Sequence, residues 1–520
     1  MASWDDGYVT DVNYIAGFHP DTLPVWIATC AALFGYTAPD VTRPFRYADL
    51  GCGDGVTALI LAATMPHAEV WGFDFNPAHI EAGREIARRA GLTNIHFEEA
   101  SFDRLARLAQ GALPMFDYMA AHGVLTWISR ENRRHLFSVI GQRLAPGGIA
   151  QLGYNVSTGW SGMRVISTLL RQIAAASPER SDIALAGAFG TLEKIRDTGA
   201  AIFRSYPELN ERLVQIKGQH WRYVTHELLA RHWQPEQFAR VATAMSAIKC
   251  DYICDSMLHS NLTGLIMPEE AYEIVESISD VRLRQTVRDI AGAVDFRRDL
   301  YQRGGRRMSQ AEQARRTDAI TLVRRFRPVP ETMTNEPLLR RVAVSETDYR
   351  TLFRLLDEGP TTIGALRRHE ALSGWNGQML FVAITVLLST AYVAPMLPEP
   401  PANAAVAACA RLNRVHAALF DEARERPYLA LPALGSAWQA GRPAVLAVDE
   451  LLSGGGHEEQ GLTEAVLRRL REVKEIAERD AQSGVAREQV TAAVRDMVRH
   501  HLPVYRRLGG LGMAEPEADV

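Results

Sequence analysis

The feature that most constrains the fold is a glycine-rich turn between an apolar run and a helical period. Residues 45–50 are mainly apolar, and Gly51, Gly53 and Gly55 follow at alternate positions before the helical pattern begins. Glycine is needed where the backbone turns with positive φ or lies directly against a ligand. The pattern therefore predicts a strand, a tight turn and a helix, which form one unit of an α/β sheet.

The spacing Gly-x-Gly-x-Gly differs from the Gly-x-Gly-x-x-Gly motif that cradles a pyrophosphate, so a turn without a ligand is an alternative. A second element favours a ligand. Residues 70–74 form an apolar run that ends in Asp74, where a carboxylate can accept hydrogen bonds from both hydroxyls of a ribose. A helix-capping acid is the alternative for Asp74. Together the two elements predict a site for a ligand that carries a ribose.

Short apolar runs alternate with helical periods from residue 44 to residue 156, which is typical of a parallel sheet flanked by helices. The predicted strands are residues 45–50, 70–74, 95–98, 116–122 and 149–154, and the predicted helices are residues 55–63, 78–90 and 131–144. Two further strand-like runs, residues 249–256 and 299–302, follow a mainly helical stretch. The sequence therefore predicts an α/β fold with a helical insertion and a mainly helical C-terminal region.

Composition limits the function classes. The 520 residues contain 57 Lys and Arg against 61 Asp and Glu, and the net charge of -4 excludes a generally basic nucleic-acid coat. The five cysteines form no CxxC pair, so no disulfide framework and no metal site is predicted, and a cytoplasmic location is expected. Residues 379–397 carry no charge, but their polar residues and Pro395 favour a buried helix and strand over a membrane span.

The two ligand motifs resemble those of the class I S-adenosylmethionine-dependent methyltransferases, which have a Rossmann-like sheet. In that family the glycine loop passes under the amino-acid part of the cofactor, and the acid after the second strand binds the ribose. The resemblance implies that S-adenosylmethionine is the cofactor. By position it assigns five residues to cofactor binding: Asp49, Gly51, Gly53, Gly55 and Asp74.

The sequence departs from the family after the third strand, where an acid usually lies beside the adenine. Ser101 and Phe102 occupy that position, and we expect the hydroxyl to form a hydrogen bond and the ring to pack on the base. Tyr14 precedes the sheet and is expected to fold back over the methionine end of the cofactor. Phe75 and His122 complete the predicted cofactor-binding set.

A narrower resemblance covers about residues 8–304. Six segments are similar to bacterial proteins that carry a methyltransferase regulatory domain, namely residues 14–20, 72–77, 122–129, 154–160, 226–229 and 294–300. Some members of that group are protein lysine methyltransferases of outer-membrane proteins, so the resemblance implies a protein substrate and a lysine acceptor. A small-molecule methyltransferase and a non-catalytic regulator that senses the cofactor and binds DNA are the alternatives.

Methyl transfer needs an acceptor lone pair held in line with the methyl group, and it needs water kept out. Ligands of open α/β sheets bind at the carboxyl ends of the strands, so polar and aromatic side chains there are catalytic candidates. The alternatives are a structural histidine, packing at a strand end and support of a helix start. The predicted catalytic residues are His122, Trp127, Tyr154 and Asn155.

We predict three regions: a cofactor-binding methyltransferase domain (1–160), a helical insertion with a regulatory region that completes the sheet (161–330), and an accessory region (331–520). The accessory region is predicted to be winged-helix-like and then helical, and to serve dimerisation, docking or regulation. Its third predicted helix, residues 375–388, is apolar, so no nucleic-acid partner is expected. The Arg-rich stretch 282–327 is predicted to be a solvated helical face, with an acidic partner or phosphate surface as the alternative.

Overall fold

The computed structural model describes residues 6–15, 17–109, 111–325, 327–330, 338, 344–419, 428–454, 459–472 and 484–511. Its central element is a seven-stranded sheet with the order β3-β2-β1-β4-β5-β7-β6. The strands are β1 (Arg46–Leu50), β2 (Glu69–Asp74), β3 (Ile95–Glu99), β4 (Phe116–His122), β5 (Leu144–Asn155), β6 (Cys250–Asp255) and β7 (Phe296–Arg303). Strands β1 to β5 pair in parallel, and β7 runs antiparallel to both β5 and β6.

Helices pack on both faces of this sheet, as the α/β prediction requires. The helices of the first part are α1 (Pro24–Leu33), α2 (Val56–Thr64), α3 (Pro77–Ala90), α4 (Phe102–Arg107) and α5 (Arg130–Arg143). The buried residues of α1, α2 and α3 share one core with Tyr47 and Val70 of the sheet. Alternate sheet residues such as Ala48 and Met119 face a second core with α5. This alternation follows from the pleat of a strand, whose successive side chains point to opposite faces.

All seven predicted strands are present, and β5 differs most from its prediction. It begins at Leu144, directly after α5, and not at residue 149. Leu144 pairs with Phe116, and the register shifts before Tyr118 pairs with Ile149. Residues 146–148, Pro-Gly-Gly, are typical of a break between a helix and a strand. Here they are accommodated as an irregularity within β5, with Gly147 at φ +81°.

Strand β7 enters the sheet against the parallel direction and carries a buried ion network. Arg297 is 0% exposed, and its guanidinium donates to Asp299 at 2.8 Å and to Asp289 at 2.6 Å. Arg288 is 1% exposed and lies 3.7 Å from Asp255. The prediction of a solvated face is therefore wrong at Arg288 and Arg297, because carboxylates from strands β6 and β7 and from the helix that precedes β7 compensate their charges inside the protein.

The helical insertion lies between β5 and β6 and has a hydrophobic core of its own. Its helices are α6 (Ser157–Ala175), α7 (Ser181–Asp197), α8 (Ala201–Ser205), α9 (Glu208–Lys217) and α10 (Trp221–Leu229). Trp160, Leu170 and Trp233 are among the buried residues of that core. Between the insertion and β7 come α11 (Phe238–Ala247), α12 (Thr263–Ile266), α13 (Glu269–Ser277) and α14 (Val281–Ala291).

A second, three-stranded sheet follows, with the antiparallel order β10-β8-β9. Its elements are α15 (Gln310–Asp318), β8 (Thr321–Arg324), α16 (Glu346–Asp357), β9 (Thr361–Thr362), α17 (Ile363–Arg368), α18 (Gly377–Ser389) and β10 (Val393–Met396). The uncharged stretch 379–397 is thus a helix and a strand, in one core with Leu352 and Leu366. Within the described ranges, no helix has the length and hydrophobicity needed to cross a bilayer.

The last described elements are mainly helical. They are α19 (Asn403–Ala418), β11 (Tyr428–Leu431), β12 (Ser436–Gln439), α20 (Arg442–Leu452), α21 (Glu459–Glu472), α22 (Gly484–Asp496) and α23 (Leu502–Arg507). Helix α19 contacts α2 and α3, and Arg411 donates to the carbonyl of Ala90 at 2.8 Å. The C-terminal region therefore packs on the helix that follows the glycine loop. The predicted division at residues 160 and 330 stays a prediction.

Candidate functional site

The glycine loop connects β1 to α2, and its three glycines have different reasons to lack a side chain. All three have positive φ: +80° at Gly51, +55° at Gly53 and +75° at Gly55. A Cβ on Gly51 would lie 2.6 Å from Val124, and one on Gly55 would overlap the ring of Phe97. A Cβ on Gly53 would meet nothing within 4 Å. Protein packing therefore explains Gly51 and Gly55, and the open space at Gly53 allows a ligand to approach the backbone.

The acid at the end of β2 lies against this loop. The Asp74 carboxylate accepts hydrogen bonds from the backbone N–H groups of Gly53 and Asn76, both at 2.9 Å, and it lies 3.3 Å from Nδ1 of His79. Burial alone would lower the pKa of His79, but the hydrogen bond and charge of Asp74 raise it. Asp74 is thus a buried carboxylate held in one orientation beside the loop, as the ribose prediction requires.

Asp49, at the end of β1, has a different environment. Burial, together with the charge of Asp74, raises the pKa of Asp49 to about 7. Its side chain receives no hydrogen bond from any residue that the structure describes. A buried carboxyl group in this environment suits a positively charged ligand. The positive charge would stabilise the ionised form of the carboxyl group.

An aromatic cluster lies beside the carboxyl end of β2, where Phe75 directly follows Asp74. Tyr8 contacts Phe75 with a ring-centroid distance of 5.6 Å, and it also contacts Trp127 at 6.2 Å. Tyr14 contacts the same Trp127 at 5.4 Å, and both tyrosines lie 5.1 Å from the ring of His226. The structure therefore brings the predicted residues Tyr14, Phe75 and Trp127 to one place. We call these three residues with Tyr8 and His226 the aromatic cluster.

The buried carboxylate of Glu227 supports this cluster from behind. One of its oxygens accepts a hydrogen bond from the indole N–H of Trp127 at 3.0 Å. The other accepts from the indole N–H of Trp233 at 2.8 Å and from the side-chain amide of Asn155. Burial raises the pKa of Glu227 to about 7, although the three donors act in the opposite direction. Glu227 therefore fixes the orientation of Trp127 and Asn155 together.

His122, at the end of β4, lies in a separate polar group. Its ring stacks on His19 at 4.1 Å, and its Nδ1 lies 3.5 Å from a carboxylate oxygen of Asp21. Burial and the neighbouring His19 lower the pKa of His122 to about 3, so the ring is neutral near pH 7. Arg298 lies 3.5 Å from the same Asp21 oxygen, and Gln151 lies 3.3 Å from it. His122 is therefore a hydrogen-bonded, neutral histidine at the carboxyl end of the sheet.

The ligand atoms of His19, Asp21 and His122 lie within 4.8 Å of one another, so their composition would suit a divalent cation. Two observations favour the interpretation of these three residues as a hydrogen-bonded polar group over a cation site. The two imidazole rings stack at 27°, so their in-plane lone pairs converge poorly on one point. The guanidinium of Arg298 already compensates the charge of Asp21.

Tyr154 and Asn155, adjacent at the end of β5, occupy different environments. Tyr154 is 0% exposed and its hydroxyl donates to Asp299 of β7. Asn155 is 5% exposed, its amide donates to Glu227, and its backbone N–H donates to the hydroxyl of Thr126 at 2.9 Å. In these positions both side chains hold neighbouring residues, and their direct contact with an acceptor stays a prediction. A supporting role fits both.

Ser101 and Phe102 begin α4, just after the third strand. The hydroxyl of Ser101 donates to Asp103, and Phe102 is half-buried against the core beneath the sheet. The backbone N–H of Ala100 donates to the carbonyl of Asp74 at 2.9 Å, which places this turn next to the predicted ribose site. Contact of Ser101 or Phe102 with an adenine stays a prediction.

Comparison with known proteins identifies the chemistry. Residues 48–148 match the family described as "Methyltransferase domain", and residues 221–303 match the family described as "Predicted methyltransferase regulatory domain". The structure of PKMT2 from Rickettsia typhi has a TM-score of 0.69 and 18% identity, and the match covers 96% of this chain and 100% of that one. PKMT2 in complex with AdoHcy, the demethylated product of the cofactor, has a TM-score of 0.68 and 17% identity.

This chain is an S-adenosylmethionine-dependent methyltransferase. Two curated relatives are also similar to this chain. An uncharacterized protein of Synechocystis sp. is 28% identical over 399 residues, which cover 76% of this chain and 78% of the relative. The trans-aconitate 2-methyltransferase of Methylobacterium nodulans is 30% identical over 153 residues, and this chain spans 52% of that enzyme.

The residues of the methyltransferase fit its cofactor on three structural grounds. Space is open at Gly53, a fixed carboxylate lies beside the loop at Asp74, and Asp49 has no partner among the described residues. S-adenosylmethionine carries a sulfonium and an ammonium group, so its positive charge complements Asp49. The assignment of individual cofactor contacts stays a prediction.

Sequence reasoning missed three residues that organise the site. Tyr8 joins Phe75 to Trp127, Glu227 orients Trp127 and Asn155, and Asp21 lies between two histidines. The signal for Glu227 was present, because it lies in the segment 226–229 that resembles the regulatory-domain proteins. Tyr8 and Asp21 precede the sheet, where no periodic pattern indicates which strand end they approach.

Proposed function

We propose that the methyltransferase transfers its methyl group to the side-chain amine of a lysine in a protein. The observation that carries this proposal is the aromatic cluster, which lies between two carboxylates. Burial and the charges of Asp74 and Glu227 raise the pKa of the Tyr8 hydroxyl, so this ring lies in the field of both acids. Aromatic faces beside negative charge suit a cationic group such as an alkylammonium.

The comparisons give this proposal further support. PKMT2 is a protein lysine methyltransferase, and its match extends over nearly the whole chain. The regulatory-domain resemblance points to an outer-membrane protein as the acceptor class. A homodimer stays a prediction, made from the accessory role expected of the C-terminal region.

The chemistry sets requirements that the described side chains meet. The bound cofactor supplies an electrophilic methyl group on a positively charged sulfur. A lysine amine has a reference pKa of about 10.4, so the ammonium must lose its proton before it attacks. Desolvation of the amine, together with repulsion from the positively charged sulfur that a bound cofactor would supply, would disfavour the ammonium form, and the proton leaves to solvent as the side chain enters. The aromatic faces of the cluster then stabilise the methylated ammonium product.

Each supporting residue has a defined part in this scheme. Glu227 holds the indole of Trp127, and Asn155 holds Glu227 from the end of β5. His122 is neutral and belongs to the neighbouring polar group, so it is suited to orient an acceptor by hydrogen bonding and not to carry a proton near pH 7. No described group needs to act as a dedicated general base, and the rate of transfer is expected to rise with pH through the neutral range.

The test is transfer of isotopically labelled methyl groups to separated outer-membrane and cytosolic protein fractions, with mass spectrometry to locate the label. We expect label on lysine side chains, and a strong reduction in the Trp127→Ala variant although cofactor affinity is retained. Trp221→Ala is the matched control, because Trp221 is 43% exposed and lies outside the cluster. Label found only on carboxylates or hydroxyls, or only in small molecules, would refute the lysine proposal.

A small-molecule acceptor is the second candidate. The trans-aconitate 2-methyltransferase match favours it, but the match covers only 29% of this chain. Incubation of the enzyme with a metabolite extract in the same labelling experiment separates the two candidates, because the label then appears in a low-molecular-mass fraction.

A further inference from the structure

A cavity of about 290 Å³ has no residue of the glycine loop in its lining, and half of its ten lining residues are arginines. Its walls come from the start of α5, from α6 and from the segment after α10. The lining includes five arginines, Arg130, Arg133, Arg164, Arg171 and Arg231. Because the chain as a whole has a net charge of -4, this concentration of positive charge is not a consequence of composition.

The charges in this cavity are incompletely compensated. Arg133 pairs with Glu236, but the other four guanidinium groups form no ion pair with any carboxylate that the structure describes. His232, which also lines the cavity, lies 3.4 Å from Asp6 at the rim. Like charges brought together without counterions repel one another, so an anion in the cavity would relieve a cost that the folded protein already bears.

Two of the arginines are held in place by the protein. Arg133 is 9% exposed, and its guanidinium donates to the carbonyl of Leu125 at 2.9 Å. Arg171 is half-buried and donates to the hydroxyl of Thr168 at 3.1 Å. Burial lowers the pKa of Arg171, because it removes water from around the charged guanidinium. The protein therefore holds the two inner guanidinium groups, those of Arg133 and Arg171, in place. The exposed side chains of Arg130, Arg164 and Arg231 surround them.

We propose that this arginine cavity binds a small multivalent oxyanion, such as a phosphoryl-bearing or polycarboxylate metabolite. Guanidinium groups match such oxygens through paired hydrogen bonds, and several of them can reach one ligand in a cavity of this size. The volume is at the lower end of ligand pockets, which favours a compact molecule over a folded partner. This proposal is independent of the identity of the methyl acceptor.

The cavity also touches the site. Trp233 lines the cavity and donates to Glu227, and Ile128 directly follows Trp127. The lining of the cavity is therefore connected to the aromatic cluster through Trp233 and Ile128. None of the predicted cofactor-binding residues belongs to that lining.

The test is calorimetric titration of the full chain with inorganic pyrophosphate and, separately, with citrate, in chloride buffer of low ionic strength. The Arg164→Ala/Arg231→Ala double variant removes two exposed charges from the cavity. We expect it to bind the preferred probe at least tenfold more weakly than wild type, with a smaller dependence on salt. The matched control is Arg89→Ala/Arg368→Ala, which removes two exposed arginines far from the cavity in sequence and should bind as wild type does.

The two probes separate the sources of the oxyanion, because tighter binding of pyrophosphate indicates a phosphoryl ligand and tighter binding of citrate a polycarboxylate. The proposal is overturned if neither probe binds at millimolar concentration, or if the cavity and control variants lose affinity equally. It is also overturned if only an acidic peptide binds in a cavity-dependent way, since the occupant is then a protein segment. Circular dichroism of both double variants checks that they fold.

Discussion

Replacement of Glu227 by Gln tests the central claim about the site, because it removes a charge and keeps the shape. In the folded protein three N–H groups donate to this carboxylate, and only the indole of Trp127 uses the second oxygen. The amide of a glutamine can accept from Asn155 and Trp233 with its oxygen, but its NH₂ group then faces the Trp127 N–H. Trp127 therefore loses its acceptor.

The effect on stability has the opposite sign to the effect on function. Burial raises the pKa of Glu227 from 4.5 to about 7. The stability that depends on the protonated form is therefore fully present below pH 4.5 and is lost as the pH rises through about 7. Ionisation costs about 3 kcal/mol at about 1.36 kcal/mol per pKa unit, and glutamine avoids this cost. The Gln variant should match wild type in acid and exceed its stability by up to about 3 kcal/mol in alkaline solution.

Activity should fall at the same time. A hydrogen bond to a charged acceptor contributes about 1.5–3 kcal/mol, so release of Trp127 should lower kcat/KM by about ten- to a hundredfold. The assays are urea unfolding across about pH 5 to 9 and labelled methyl transfer above neutral pH. The control is Glu81→Gln, which neutralises an exposed carboxylate on α3.

The combined result decides between roles. A variant that gains stability in alkaline solution and loses activity identifies Glu227 as a positioning residue whose charge is kept for function. Full activity of the Gln variant would refute the proposed support of Trp127. If the unfolding free energy of the Gln variant falls with rising pH as steeply as that of wild type, the pKa near 7 does not belong to Glu227.

Three further predictions concern the cofactor site and the sheet. Asp74→Ala should weaken cofactor binding by a few kcal/mol, because hydrogen bonds to a charged acceptor contribute about 1.5–3 kcal/mol each. Gly53→Val should abolish cofactor binding, because its side chain fills the open space. If calorimetry gives both variants the affinity of wild type, the assignment of the cofactor site is wrong. Since burial raises the pKa of Asp49 to about 7 and a cationic ligand favours its ionised form, cofactor affinity should rise by up to about tenfold per pH unit below 7 and level off above it. The Asp49→Asn variant should lack this dependence. Tyr154→Phe should lower stability by about 1–3 kcal/mol and leave cofactor affinity unchanged, because the lost hydroxyl serves buried Asp299; lower turnover without lower stability would instead support a catalytic Tyr154.

The sheet was predictable from the sequence because its signals are local. Strands β2, β4 and β5 each contain a short, mainly apolar run, and the three glycines of the first turn all have the positive φ that glycine adopts most readily. The antiparallel entry of β7 was not predictable in this way. The strand and the helix before it carry Arg297 and Arg288, which pattern reasoning assigns to a solvated face because it does not reveal the buried carboxylates of Asp255, Asp289 and Asp299.

The site was predictable only in part, for a related reason. Tyr14 and Trp127 were both expected near the carboxyl ends of the strands, and their rings lie 5.4 Å apart, although their roles stay predictions. Tyr154 was expected beside them because it follows the same strand-end rule. Side chains alternate along a strand, however, and the register of β5 directs Tyr154 to Asp299 and its neighbour Asn155 to Glu227.

These contacts change what the regulatory region contributes to the enzyme. Glu227 and Asp299 both lie within residues 221–303, the stretch that matches the regulatory-domain family. Each binds a side chain at the end of β5, and Glu227 also binds Trp127 in the turn between β4 and α5. The methyltransferase family match ends at residue 148, before Tyr154 and Asn155. The cofactor loop is therefore built by the first region alone, whereas Trp127, which we propose to face the acceptor, takes its orientation from Glu227 of the second. Any change in the packing of residues 221–303 is expected to act on acceptor binding before it acts on cofactor binding.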